Sequence, residues 1–275
     1  MVGNMSDIVL SVNKLIPNPG EQFTAKNSAG WPIMKRRVLL PYVKAVVGQV
    51  LATGCLEESK GRVLMMGLGG ATISNFLGEL EGNHEIVSLE LEPAMEYIAR
   101  KWFNLENSPN QKVLIQDAIE YVNNWKKKDG RFDCIIVDAC TNIVTEKSYY
   151  PLICPLKELV HDEKIINKMF EMLEETGTLM INTFVLETEK NIESVSEERQ
   201  FLLELFRHHF GYCYYVDVID NKILVCNMSL LKDGKIMTNK LYEEKLFKFP
   251  QWIRQEMSEI QINILHKIWE MKRQK

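Results

Sequence analysis

From Arg62 onward, short apolar runs alternate with stretches of helical period. The runs 63–67, 85–90, 112–116, 132–138 and 178–183 are too apolar to keep one face in water, which predicts parallel strands buried on both faces. Between them, 93–103 places Met95, Ile98, Ala99 and Trp102 at i, i+3, i+4 and i+7, and 162–174 gathers Ile165, Ile166, Met169, Phe170 and Leu173 on one side. Both predict amphipathic helices, the first with Pro93 in its first turn, where a missing N–H does no harm. A strand–helix alternation repeated in this way implies right-handed crossovers and a doubly wound α/β sheet covered on both faces. The end of the block differs. After a helix near 197–209, the runs 212–218 and 222–227 are separated only by Ile219, Asp220 and Asn221, a connection short enough to force an antiparallel hairpin.

Three segments follow from the pattern: an N-terminal extension with one helix (1–60, the helix near 37–52), a main domain (61–228), and a C-terminal linker with an amphipathic helix (229–275). That last helix is expected to present Met257, Ile260, Ile264, Ile268 and Met271 on one face, packed on the main domain or open to a second copy, which leaves a homodimer open.

Composition narrows the function classes. The 275 residues are 46% hydrophobic and 25% charged, which excludes disorder and disulfide-dense secreted scaffolds. The net charge of −4 gives no general attraction for phosphate backbones, so a nucleic acid is not expected as partner. No apolar stretch approaches the roughly 18 residues of a membrane span, and no leader pattern opens the chain; a cytoplasmic protein is expected. The six cysteines, at 55, 134, 140, 154, 213 and 226, form no C-x-x-C pair, and reduced, buried thiols are the expectation. His161, His208 and His209 have no second ligand at metal spacing, so no metal site is expected.

Candidate chemistry concentrates at strand ends. Gly67-Leu-Gly69-Gly70-Ala71, after the first strand, forms a turn that lets a ligand approach the backbone. As a dinucleotide fingerprint it has Thr72 where the third glycine belongs, and no G-K-[S/T] follows to make a phosphate loop. Glu90 ends the second strand 23 residues after Gly67, where a carboxylate can accept hydrogen bonds from both ribose hydroxyls of an adenosine-type ligand. Asp117, followed by Ala118, ends the third strand and can accept from an adenine amino group, with helix capping as its competing role. Asp138 ends the fourth strand. Three carboxylates at successive strand ends converge on the crevice where open α/β sheets bind ligands.

Gly-Leu-Gly-Gly, Glu90-Leu-Glu-Pro, Ala99-Arg-Lys-Trp102-Phe103, Asp117-Ala-Ile-Glu-Tyr121, Phe132-Asp133-Cys-Ile-Ile-Val-Asp138 and Cys154-Pro155 resemble the spermidine-synthase-like class I methyltransferases, in particular the methyltransferase-like 13 family, over about 62–227. The resemblance implies a seven-stranded, mostly parallel, Rossmann-like sheet closed by an antiparallel hairpin. It implies S-adenosyl-L-methionine as cofactor and methyl transfer to an amine, an N-terminal α-amine or a lysine, of a protein substrate such as a translation elongation factor. Carried over by position, Gly67 and Gly69 line the methionine portion, Glu90 the ribose, Asp117 and Ala118 the adenine, and Asp138 is the catalytic carboxylate at the transfer site. Related aminopropyltransferases carry a D-x-x-D pattern whose second carboxylate deprotonates the attacking amine; Thr141 stands there instead. Ala71 replaces a glycine of the cofactor turn and is expected to crowd it. Two alternatives stay open: a catalytically silent binding module of the same fold, and a small-molecule transferase. Acceptor contacts are expected from Asn142, Tyr149 and Tyr150, the two tyrosines as an aromatic wall or as loop anchors.

Overall fold

The computed structural model describes residues 9, 11–24, 26–56, 60–141, 150–219, 221–228 and 234–267. In chain order the elements are α1 (Pro41–Thr53), β1 (Arg62–Met66), α2 (Thr72–Gly78), β2 (Glu85–Glu90), α3 (Pro93–Trp102), β3 (Gln111–Ile115), α4 (Ala118–Asn124), β4 (Phe132–Val137), α5 (Lys157–His161), α6 (Glu163–Met172), β5 (Leu173–Asn182), α7 (Ile192–His209), β6 (Tyr212–Val218), β7 (Asn221–Asn227), α8 (Asn239–Leu246), α9 (Gln251–Met257) and β8 (Asn263–Leu265). They build one sheet in the order β3-β2-β1-β4-β5-β7-β6-β8, parallel through β5 and antiparallel beyond it. The reversal of strand order beside β1 opens the crevice at the carboxyl ends of β1 and β4.

Strand periodicity sorts the core into two layers. Val63, Met65, Cys134, Ile136 and Met180 face α1, α8 and α9, where they meet Val43, Val46, Val47, Val50, Leu241, Ile253 and Met257. Their neighbours Leu64, Met66, Ile135, Val137, Leu179 and Ile181 face the opposite side, against Ile165, Ile166, Met169, Leu202, Leu203 and Phe206 of α6 and α7. Because both faces are covered, the central strands read as continuous apolar runs. β3 departs from that expectation: it is the sheet edge, and Leu114 and Ile115 are exposed. α1 stops at Gly54, whose φ of +75° closes the helix in the left-handed region that glycine tolerates.

Among the described residues the sheet has eight strands rather than seven. β8 pairs with the outer edge of β6 through Tyr215–Leu265, Val216–Ile264 and Asp217–Asn263, so the C-terminal helical stripe is corrected: α9 ends at Met257 and Ile264 lies in a strand. An edge strand offers unpaired backbone groups that a short added strand satisfies. Ile268 and Met271 of the same stripe lie outside the described residues. The expectation of reduced thiols is likewise corrected. Cys140 is bonded to Cys154 and Cys213 to Cys226, while Cys55 and Cys134 are free and buried. Cys213 and Cys226 face each other directly across the β6–β7 hairpin, a pairing set by strand register rather than by any spacing motif.

Two ion pairs with Glu256 tie the N-terminal segment and α1 to α9. Lys44, 3% exposed, pairs with the buried Glu256 at 3.0 Å, and Arg37 adds a bond to the same carboxylate at 2.9 Å. Glu256 also accepts from the Val38 backbone N–H at 2.8 Å, so the buried charge is fully engaged. Among the described residues no helix is long and apolar enough to cross a membrane.

Candidate active site

The turn between β1 and α2 is shaped by close backbone approach. A Cβ on Gly67, whose φ is +99°, would stand 2.5 Å from the Asp138 carbonyl oxygen, and one on Gly70 would stand 2.8 Å from the Phe103 ring. Phe103 caps the end of α3, so its ring bears on the glycine turn, while Trp102 is exposed. Gly69 has φ +52°. The Gly70 N–H donates to Ser11 Oγ at 2.8 Å, which places the N-terminal segment across the turn. Ala71 also adopts the left-handed region, at φ +57°, but its methyl is buried among Leu68, Ala99 and Leu105. The expected crowding is therefore corrected: that methyl fills a small core beneath the turn and does not enter the crevice.

Glu90, at the end of β2, bridges two turns. One carboxylate oxygen accepts from the Leu68 N–H at 3.1 Å and the other from the Glu92 N–H at 3.0 Å. Glu92 occupies the N-cap position of α3, yet its own side chain makes no capping bond. Each Glu90 oxygen accepts one of these bonds and retains a second lone pair, the acceptor capacity that two vicinal hydroxyls require. Asp117 does cap α4: its Oδ1 accepts from Ile119 N–H at 2.7 Å and Glu120 N–H at 3.0 Å. Its Oδ2 takes no part in that cap. Ala118, half-buried, is the first residue of α4 and adjoins Asp117.

Asp138 follows β4, its N–H donating to the Met66 carbonyl at 2.8 Å. Its Oδ1 accepts from Asn182 Nδ2 at 2.7 Å, and the Tyr42 hydroxyl reaches Oδ2 at 3.4 Å, a long hydrogen bond. Burial pushes the carboxyl up to about 6 from its ordinary 3.8, against the opposing pull of the Asn182 and Tyr42 bonds. The Tyr42 hydroxyl in turn is pushed well above its usual range by burial and by the Asp138 charge. Asn182 is buried, and its Oδ1 has no hydrogen-bond partner among the described residues; the Thr72 hydroxyl, in the first turn of α2, is in the same condition. The Asn182 Oδ1, at the end of β5 beside Asp138, is an orphaned buried acceptor of the kind that a donor-bearing ligand would satisfy.

Sequence reasoning missed Tyr42, Asn182 and Ser11. Asn182 carried a usable signal, since it ends the fifth strand beside Asp138. Tyr42, in the first turn of α1, carried none. Tyr150 packs edge-on against His161, whose Nε2 meets Glu198 at 2.7 Å and whose ring stacks on Phe201, so Tyr150 takes the anchoring role. Asn142 and Tyr149 lie outside the described residues. The Asp138 carboxylate and the Cys140 and Cys154 sulfurs place their ligating atoms within 4.8 Å of one another, with the two sulfurs joined as a disulfide. A separate cavity of about 510 Å³, lined by Arg36, Glu79, His84, Lys248, Phe249 and Trp252, lies away from the crevice. None of the strand-end carboxylates borders it.

No family model matches the chain. It is 27% identical over 149 residues to a polyamine aminopropyltransferase of Vibrio vulnificus, a match spanning 54% of this chain and 45% of that protein. It is 23% identical over 174 residues to the eEF1A lysine and N-terminal methyltransferase of Xenopus laevis, spanning 63% of this chain and 24% of that protein. The chain thus spans less than half the length of these curated relatives. Among solved structures, human methyltransferase-like protein 13 in complex with SAH superposes with a TM-score of 0.61 at 21% identity, covering 80% of this chain and 93% of that one. The chain has the class I methyltransferase fold, which it shares with methyltransferase-like protein 13 and with a probable spermidine synthase of Corynebacterium glutamicum that superposes with a TM-score of 0.63 at 13% identity, covering 95% of this chain and 93% of that one.

Proposed function

We propose that the chain is an S-adenosylmethionine-dependent N-methyltransferase acting on an amine of a protein. The observation that carries this reading is the group of carboxylates at the ends of β2, β3 and β4, aligned along one crevice beside the glycine turn. Asp117 and Asp138 stand three strand spacings apart, roughly 14 Å, enough for an adenosine with an amino-acid tail. The donor set fits: Glu90 would take the ribose hydroxyls, Asp117 Oδ2 the adenine amino group with Ala118 alongside, and the Gly67–Gly69 turn the methionine portion. The cofactor supplies a methyl group activated on a sulfonium.

The chain must then present a neutral amine in line with that methyl and keep water out. Asp138 suits the task, because a carboxyl near 6 is ionised at neutral pH yet basic enough to accept a proton at Oδ2. Asn182 holds the other oxygen, and its free Oδ1 offers the amine a second acceptor. Neutralising an amine at pH 7 costs about 4.6 kcal/mol for lysine and about 1 kcal/mol for an α-amine. The modest basicity of Asp138 therefore favours an N-terminal α-amine. A cytoplasmic protein such as an elongation factor, the substrate printed in the name of the Xenopus relative, is the acceptor we propose to try first.

A second reading, polyamine chemistry, rests on the similarity to the Vibrio enzyme. Thr141 speaks against it, since a threonine hydroxyl is no base at neutral pH. Calorimetric titration with S-adenosylmethionine and with its decarboxylated form separates the readings. We expect the first to bind and Glu90→Ala to weaken it by about 1.5 to 3 kcal/mol, the scale of hydrogen bonds to a charged group. Preference for the decarboxylated form would replace the methyltransferase reading with polyamine chemistry, and binding of neither would leave a silent module.

A further inference from the structure

We propose that Cys140 and Cys154 form a thiol–disulfide exchange site whose bond pinches the neck of the β4–α5 connection beside Asp138. The two stems of that connection are already laid together. The Thr141 N–H donates to the Ile153 carbonyl and the Leu156 N–H to the Ala139 carbonyl, both at 2.9 Å, and the disulfide joins the stems between these bonds. Ile153 and Cys154 also donate to the Phe184 carbonyl, which fixes the second stem against the segment after β5. Both sulfurs lie within 4.8 Å of an oxygen of the Asp138 carboxylate, the group that would receive the acceptor amine.

Accessibility singles this pair out. Cys140 is only partly buried, whereas Cys213 and Cys226 are wholly buried in the hairpin. Exchange needs a thiolate to reach a sulfur, and Cys140 is the least buried of the four bonded cysteines. The step balances with a dithiol as reductant. One of its thiolates attacks Cys140 Sγ, the S–S bond breaks, and Cys154 leaves as a thiolate that takes up a proton. The second thiol resolves the mixed disulfide, freeing the Cys140 thiol and leaving the reagent oxidised; an oxidised dithiol or glutathione disulfide runs the reverse. Closing the pair restrains the stems and opening it relaxes them. The consequence for acceptor binding rests on the methyltransferase reading.

The full chain is equilibrated across a series of reduced-to-oxidised glutathione ratios, trapped with a maleimide and mapped by mass spectrometry. Cys140 and Cys154 are expected to label at a thiol concentration at least tenfold below that which opens Cys213 and Cys226, and amide exchange at 139–141 and 150–156 to quicken at least tenfold on reduction. Cys140→Ser and Cys154→Ser should show the fast exchange without reductant. Simultaneous opening of both pairs, or unchanged exchange, overturns the site. So does stoichiometric zinc uptake by the reduced chain that Asp138→Asn abolishes, which would make the cluster a metal site. In methylation assays the acceptor KM should differ at least fivefold between redox states, with cofactor affinity within twofold and no redox dependence in Cys140→Ser; equal KM values overturn the control of acceptor binding. Absence of cofactor binding in both states counts against the methyltransferase reading alone, because labelling and exchange decide the redox site without it.

Discussion

Asp138 carries the largest share of what a single side chain contributes. Its folded-state value, about 6, lies above the ordinary 3.8, so the protonated carboxyl is the form the fold favours. That stabilising preference is complete below about pH 4 and is lost as pH rises through 6, which makes ionisation in the folded chain cost about 3 kcal/mol. Asp138→Asn removes the cost. Urea unfolding at pH 4 and pH 8 should therefore show the variant gaining on the parent with rising pH, toward about 3 kcal/mol, while its methyl-transfer rate falls on the order of 100-fold or more, as loss of a general base requires. A flat difference across that pH range would contradict the perturbed carboxyl. The position of Asp138 was legible because a strand-end carboxylate is a local feature. Its partners were not: Asn182 and Tyr42 stand 44 and 96 residues away in the chain, and nothing local to either says what it will meet.

Secondary elements decide how the carboxylates are aimed. α4 begins where it does because one oxygen of Asp117 caps it, which leaves the other for the adenine contact proposed above. The two roles separate experimentally. Asp117→Ala should lose about 1 kcal/mol of stability as well as cofactor affinity. Asp117→Asn caps nearly as well, but with its oxygen on the cap it turns an amide N–H₂ toward the adenine amino group. Stability within about 0.5 kcal/mol of the parent and at least tenfold weaker cofactor binding is the expected result; unimpaired binding would confine Asp117 to capping. The central strands and the presence of the β6–β7 hairpin were legible from period and turn length, but the Cys213–Cys226 pairing was not, because it needs Val218 opposite Asn221, one residue off the register that a 219–221 connection implies. What misled was the C-terminal stripe, where helical spacing of Met257, Ile260 and Ile264 competed with the open edge of β6 and the edge prevailed.

At the scale of the whole molecule, the flanks are structural parts of the crevice. Ser11 braces the glycine turn, α1 delivers Tyr42, and α9 locks α1 in place through Glu256. Glu256→Ala removes one of the two carboxylates paired with the buried Lys44, the Arg37 bond and the acceptor of the Val38 N–H, so chemical unfolding should report a loss of about 3 kcal/mol. A loss under about 1 kcal/mol would show that Glu259, the other carboxylate bonded to Lys44, suffices.

The sequence by itself determined the alternation of buried strands and amphipathic helices, the reversal at the hairpin, and the placement of Glu90, Asp117 and Asp138 at strand ends. These are short-range consequences of side-chain period and turn chemistry, and they survive in any chain with that pattern. Only the tertiary structure decided that Tyr42 and Asn182 close on Asp138, that the Ala71 methyl turns into a core, that Cys140 meets Cys154, and that the sheet takes an eighth strand. Each of those depends on how distant segments dock, and docking is set by packing of whole faces, to which the contacting residues themselves contribute little local signal.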